Sequence, residues 1–172
     1  MIEVVEFSAR HRAGVVELIL SIQQEFDIPI TLNDQPDLLD IPGFYQQNRG
    51  NFWVALADTR VVGTIALQDI GNAQGALRKM FVQAPFRGSH HGVARCLLDT
   101  LLAWCAAKQI GQLYLGTTVQ LLAAHRFYEK NGFSEIAKSE LPGAFPRVSV
   151  DTKFYLRPLR RKEDQSGVAV AS

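Results

Sequence analysis

Around residues 83 to 93 the apolar pattern of the chain changes its period, and that switch limits the folds open to it. Before it come three runs rich in β-branched and aromatic residues, NFWVALAD, VVGTIALQDI and ALRKMFVQ, separated by a tight turn at Asp58 to Arg60 and a loop from Gly71 to Gly75. They predict a three-stranded antiparallel meander. After it Val93, Leu97, Leu101 and Trp104, flanked by Ala94, Leu98, Leu102 and Cys105, recur at helical spacing to about Gln109. Gly111 is expected to end this helix, and QLYLGTT starts another strand. A strand, a long helix and a strand in that order place the two strands side by side in parallel, because only a crossover helix returns the chain in the same direction.

The remaining elements follow from similar signals. IEVVEF reads as an opening strand, followed by a helix from about Arg10 to Phe26 with Ser8 as cap and Val15, Leu18, Ile19 and Ile22 along one face. Prolines 29, 36 and 42 break the next segment into loop with a short helix near Pro36 to Leu39 or Gly43 to Gln47. A helix from about Val119 to Lys130 stops at Asn131-Gly132; FSEIAK and VDTKFYLRPL are the last strands. The expectation is a mixed α/β fold, a sheet of about seven strands with helices on both faces. At 172 residues and 47% hydrophobic content, one domain over residues 1–158 suffices, and the charged, then small, tail 159–172 reads as disordered.

Eighteen basic against seventeen acidic residues leave a net charge of +1, which excludes bulk electrostatic capture of nucleic acid or an anionic membrane. The longest nearly apolar stretch, VARCLLDTLLAWCAA, is interrupted by Arg95 and Asp99 and falls short of the roughly 20 residues that span a bilayer. The N-terminus has no apolar run of signal-peptide length, so a soluble, cytoplasmic protein is expected. Cys96 and Cys105 share one helix, about 13 Å apart at its rise per residue, too far for a disulfide. Both cysteines, and Trp53 and Trp104, read as packed residues.

The junction itself, PFRGSHHGVARCLL, has the makings of an anion cradle. The first amides of a helix lack intrahelical acceptors and carry the positive end of its dipole. Gly88 and Gly92 let a pyrophosphate approach the backbone, and Arg87 adds a charge. A nucleotide P-loop and a dinucleotide GxGxxG are both absent. His90 and His91 have no third ligand at metal-site spacing, so no metal is expected.

KMFVQAPFRGSHHGVARCLL resembles the acetyl-CoA motif of the GNAT superfamily of N-acetyltransferases: Arg87 takes its first position, Gly92 its last, and His90 stands where a glycine is usual. AAHRFYEKNGF, with Phe127, Tyr128, Glu129, Gly132 and Phe133, resembles the second landmark of that family. The resemblance implies a mostly antiparallel sheet splayed between the strands at 76–83 and 112–117, with acetyl-CoA as co-substrate in the gap. The backbone at Phe81 and Val82 would bond the pantetheine, the amides of Ser89, His90, His91, Gly92 and Val93 with Arg87 and Gly88 would hold the pyrophosphate, and Phe127 and Tyr128 would line the same site. Tyr128 would protonate the departing thiolate, and an amide near Val82 would stabilise the oxyanion as an amine attacks directly in a ternary complex.

The base is less legible. Ala76 and Leu121 stand where relatives place polar groups, leaving Glu25, Asp27 or Asp69 to act through water, or the amine to arrive neutral. The acids Glu25, Asp27, Asp34, Asp37 and Asp40, with no Lys or Arg among them, suggest a small cationic amine or a peptide amine as acceptor. Phe145 and Arg147 fall on a loop expected to be mobile and to cover it, and His125 is expected on a helix surface. The competing class is a non-catalytic acyl-CoA-binding or interaction protein; a stand-alone nucleotide-binding protein is a weaker third. The strand near 151–157 offers an edge for a homodimer.

Overall fold

The computed structural model describes residues 1–159; the tail expected to be disordered lies, but for its first residue, outside them. One seven-stranded sheet organises the chain: β1 (Ile2–Glu6), β2 (Asn51–Ala57), β3 (Arg60–Gly71), β4 (Gln74–Val82), β5 (Gln112–Thr117), β6 (Ser134–Ile136) and β7 (Lys153–Pro158). Their order is β1-β2-β3-β4-β5-β7-β6. Every pairing is antiparallel except β4 with β5, which are joined by the crossover helix α4 (Val93–Lys108).

Alternation along the central strands builds a core on each face. Phe52, Val54 and Leu56 of β2 pack with Val15, Leu18, Ile19 and Ile22 of α1 (Arg12–Glu25). Trp53 and Ala55 pack on the other side with Val93, Leu97, Leu98, Leu101 and Cys105 of α4. Two faces buried by two helices explain why β2 reads as a continuous apolar run. Two short helices, α2 (Pro36–Leu39) and α3 (Ile41–Phe44), occupy the proline-rich segment, and α5 (Leu122–Lys130) places Tyr128 against Phe133 and Tyr155. No helix among the described residues is long and apolar enough to cross a membrane.

Several boundaries differ from the sequence pattern for local reasons. A 3₁₀ turn at Ala9–His11 precedes α1, because the Ser8 amide donates to His11 Nδ1 (3.1 Å) and the His11 amide returns to the Ser8 carbonyl (2.9 Å). Burial, aided by Arg10, lowers the His11 pKa and favours the neutral ring that this bond requires. The long helix ends at Gln109, which turns left-handed (φ 59°), whereas Gly111 already donates to the Ala73 carbonyl (2.7 Å). α5 begins three residues late, where buried His125 donates through Nε2 to the Thr118 carbonyl (2.8 Å); His125 is not a surface residue. Cys96 is exposed; Cys105 is buried, which pushes its thiol up to about 12. Trp104 is only half-buried, stacking edge-on to Trp53 and donating to the Arg49 carbonyl (2.7 Å). The strand expected as a dimer edge, β7, lies between β5 and β6, so neither of its sides is free where it pairs with both.

Two irregularities shape the centre of the sheet. β4 and β5 pair only at Gln74↔Gln112, Gly75↔Leu113 and Ala76↔Tyr114, and then part. In β4, Lys79 and Met80 stand opposite the single residue Ile65, a bulge in which Lys79 takes φ 50° and its carbonyl accepts from Thr64 Oγ1 (2.7 Å).

Candidate active site

The parting of β4 and β5 leaves a cavity of about 110 Å³. Leu77 to Phe81 line it from β4, Gly116 and Thr117 from β5, Thr118 from the turn that follows, Tyr128 from α5, and Phe145, Val148 and Asp151 from the loop before β7. A wider cleft of about 520 Å³ shares Ile30, Arg78, Val148 and Val150 with it and adds Asp34, Asp37 and Arg147. The two spaces therefore lie side by side along these residues.

On the β4 side the Gln83 amide donates to Val62 of β3 (2.8 Å), so by strand alternation the Val82 amide and carbonyl face the gap. That carbonyl already accepts from Arg87 Nε (2.7 Å). The other guanidinium nitrogens of Arg87 grip Glu25 bidentately (2.6 and 2.9 Å), over the Phe26 ring, and these bonds hold the Glu25 carboxyl below its ordinary range. Arg87 is thus a strut between the loop and α1, and Glu25 is its counter-ion. Phe81 is partly buried and lines the inner cavity, but its backbone pairs with Thr64 of β3, so of the two residues expected to offer main-chain groups only Val82 turns them to the gap.

In the turn before α4 and its first turn, the amides of Ser89, His90, Val93, Ala94 and Arg95 donate to no backbone carbonyl among the described residues; those of His91 and Gly92 make long bonds to the Gly88 carbonyl (3.3 and 3.4 Å). Gly92 takes φ 66°, where a side chain would be strained; His90 does not have positive φ, which is why a histidine fits there. His90 and His91 are exposed and stack edge-on, with ring centroids 5.0 Å apart. Replacing His90 by glycine should therefore change acetyl-CoA affinity less than about tenfold, the span of 1.4 kcal/mol, in calorimetry; abolished binding would show the imidazole to be essential.

Tyr128 is buried between Phe127, Phe133 and Tyr155, and its hydroxyl, on the cavity wall, makes no hydrogen bond among the described residues. Burial, with Asp151 and Tyr155 nearby, raises its pKa well above that of a free phenol. Thr118 Oγ1 is likewise buried, unpartnered and on this wall.

None of Glu25, Asp27 and Asp69 lines either space. Asp27 is exposed, and Asp69 accepts from the amides of Arg49 (3.1 Å) and Gly71 (2.9 Å), a turn-stabilising role. Phe145, expected on a mobile cover, is buried with Ala76, Tyr114, Leu141 and Phe154. The groups that do converge were not singled out by the sequence: Arg78, Lys79, Thr118 and Asp151. Lys79 Nζ donates to Gln35 Oε1 (2.6 Å) and pairs with Asp37 (3.4 Å), which also accepts from the Tyr45 hydroxyl; burial lowers its pKa. Burial pushes the Asp151 carboxyl up to about 6, against the pull of Arg78 and Lys79. Asp151 falls within VDTKFYLRPL, expected as the last strand, which begins only at Lys153.

A splayed mixed sheet with free helix amides beside the opening defines a family of acyl-group transferases, and the model of the acetyltransferase (GNAT) family matches residues 17–133. The chain belongs to that family. A GNAT acetyltransferase from Staphylococcus aureus superposes with a TM-score of 0.90 at 39% identity, over 93% of this chain and all of that one. N-acetylaspartate synthetase from Danio rerio is 35% identical over 112 residues, 62% of this chain and 39% of the relative; the chain thus spans well under half the length of that protein. The PaiA N-acetyltransferase from Thermoplasma acidophilum, solved in complex with coenzyme A, shares the fold at 16% identity and a TM-score of 0.71, over 92% of this chain and 99% of that one.

Proposed function

We propose that this chain transfers the acetyl group of acetyl-CoA to the primary amine of a small carboxylate-bearing acceptor, an amino acid or a peptide end. One observation carries the choice of acceptor: Arg78 and Arg147 face the outer cleft with no carboxylate paired to either among the described residues. The acids on the same walls are engaged, Asp34 by Thr31 (2.9 Å to both its amide and its hydroxyl) and Asp37 by Lys79 and Tyr45. A guanidinium without a counter-ion in a cleft is a carboxylate site in waiting. This reading replaces the cationic amine suggested by the acidic segment with a zwitterion, and the name N-acetylaspartate synthetase, which several relatives carry, agrees with it.

The residues divide the work. The free amides of Ser89, His90 and Val93 receive the pyrophosphate, and the Val82 backbone, whose amide and carbonyl face the gap, receives the pantetheine amides. Arg78 and Arg147 orient the acceptor so that its nitrogen enters the narrow cavity. Tyr128, kept protonated by burial, hands its proton to the sulfur as the C–S bond breaks.

Thiol release from acetyl-CoA with a panel of dicarboxylic and monocarboxylic amino acids, their amides, polyamines, aminoglycosides and lysine peptides tests the reading. Carboxylate-bearing amines should outperform their amides by at least about tenfold in kcat/KM, one lost charged hydrogen bond being worth that or more. A preference for polyamines, or binding of acetyl-CoA with no amine-dependent turnover, would overturn it, the latter in favour of a non-catalytic acyl-CoA-binding protein.

A further inference from the structure

We propose that the carboxylate of Asp151 is the catalytic base that takes the proton from the acceptor nitrogen. The inference rests on the acetyltransferase reading and adds the group for which neither family motif offers a residue, Ala76 and Leu121 being apolar.

Position is the first argument. Asp151 ends the loop before β7, and its place is fixed on both sides: its own amide donates to the Val148 carbonyl (3.1 Å), and the next amide, of Thr152, donates to the Thr117 carbonyl (3.0 Å). The carboxylate therefore lies across Gly116 of β5, with Oδ2 2.7 Å from where a Cβ on that residue would stand. Only a glycine leaves room for it. It forms one wall of the narrow cavity of which Tyr128 and Thr118 form another.

Availability is the second. Asp34 and Asp37 are spent on hydrogen bonds and an ion pair, whereas the Asp151 carboxylate has no hydrogen bond and no salt bridge among the described residues. A partly buried, unpaired carboxylate is unfavourable for the fold, and such groups concentrate where chemistry needs them. The charged and titratable groups around it are Arg78 and Lys79 of β4 and Tyr128 of α5; β5 contributes only Gly116 and the threonines. Burial outweighs the two cations and brings its proton affinity to about 6, so that it is mostly ionised at neutral pH yet basic enough to accept a proton. Tyr128 is shifted upward and stays protonated, so the two groups facing one cavity hold opposite protonation states.

The step balances without another reactant. The amine lone pair forms the C–N bond to the thioester carbonyl carbon as the C=O pair moves onto oxygen. Asp151 takes the nitrogen's proton; the C=O bond re-forms, the C–S bond breaks, and the sulfur leaves with the pair and takes the Tyr128 proton. Net proton transfer from Asp151 back to Tyr128 through solvent resets the site.

The test uses the full chain and the best amine of the panel. Wild-type kcat should show an acidic limb with a midpoint near pH 6. Asp151→Asn should lower kcat at pH 7 about 100-fold, the low end for a general base, and remove that limb. Acetyl-CoA affinity in calorimetry should stay within about threefold, under 1 kcal/mol, and Asp151→Glu should recover part of the rate. A kcat for Asp151→Asn within threefold of wild type, persistence of the limb, or a parallel loss of acetyl-CoA affinity would overturn the assignment. Wild-type protein that binds acetyl-CoA but acetylates no amine would instead sink the acetyltransferase reading, and the base with it.

Discussion

Replacing Arg78 by methionine is expected to raise KM for a carboxylate-bearing amine about 100-fold, the equivalent of roughly 3 kcal/mol for one truncated partner of a charged hydrogen-bonded pair. Methionine keeps much of the apolar stem that passes Tyr45, where the guanidinium lies 5.8 Å from the ring centroid, and gives up the bond to Gln68 Oε1 (3.1 Å). KM for acetyl-CoA should hardly move. The control is the acceptor's amide: with no carboxylate to lose, its kinetics should be nearly the same in both proteins, and an equal loss would mean that Arg78 packs the cleft rather than reads the ligand. A second readout comes from charge alone. Arg78 pulls the Asp151 pKa down, so its removal should move the acidic limb of kcat to higher pH, and steady-state rates from pH 5 to 9 would show the direction.

Tyr128→Phe should lower kcat about 100-fold while leaving acetyl-CoA affinity and the acidic limb in place. The substitution removes one atom whose only prospective partner is the ligand; the ring keeps its edge-on contacts to Phe127 (5.9 Å between centroids) and Phe133 (5.5 Å), so no cavity forms. The melting temperature should hold, because the hydroxyl makes no hydrogen bond within the described residues for the substitution to remove. Since burial moves the phenol upward, wild-type protein should show no loss of rate from Tyr128 ionisation up to about pH 10, the value of a free phenol. An unchanged kcat would remove Tyr128 from the mechanism.

What the chain declares on its face is what depends on neighbours in sequence. The 3.6-residue spacing from Val93 onward, the turn at Asp58 and the glycine at 92 each answer to local geometry, and the crossover helix and the amide cradle follow from them. His125 and Trp104 looked ordinary for their helices, but the Thr118 carbonyl and the Arg49 carbonyl, brought from elsewhere, decide where they sit. Charges mislead most. Glu25 reads as a free acid beside the acceptor until Arg87, 62 residues on, is seen to claim it. Asp151 reads as part of the last strand until the structure leaves it in the loop ahead of Lys153, with Gly116 of β5 beneath it. Arg78 is one cation among eighteen in the sequence, and only the folded chain sets it on the wall of the outer cleft. The free amides lie within one strand, turn and helix and are legible; the outer cleft is assembled from distant pieces of the chain and is not.

The bulge at Lys79 bears on how molecules of this protein avoid one another. Past Ala76 and Tyr114 the sheet carries an edge in its own middle, and unpaired strand edges invite growth by strand addition from a second molecule. With two residues of β4 doing the work of one, and Lys79 turned left-handed, the free groups of that edge do not form a regular ladder. A pleated intruder would find alternate donors out of step, whereas a slender chain with two or three amides needs only a few in reach. The unpaired edge at the seam is thus poorly matched to a regular incoming strand.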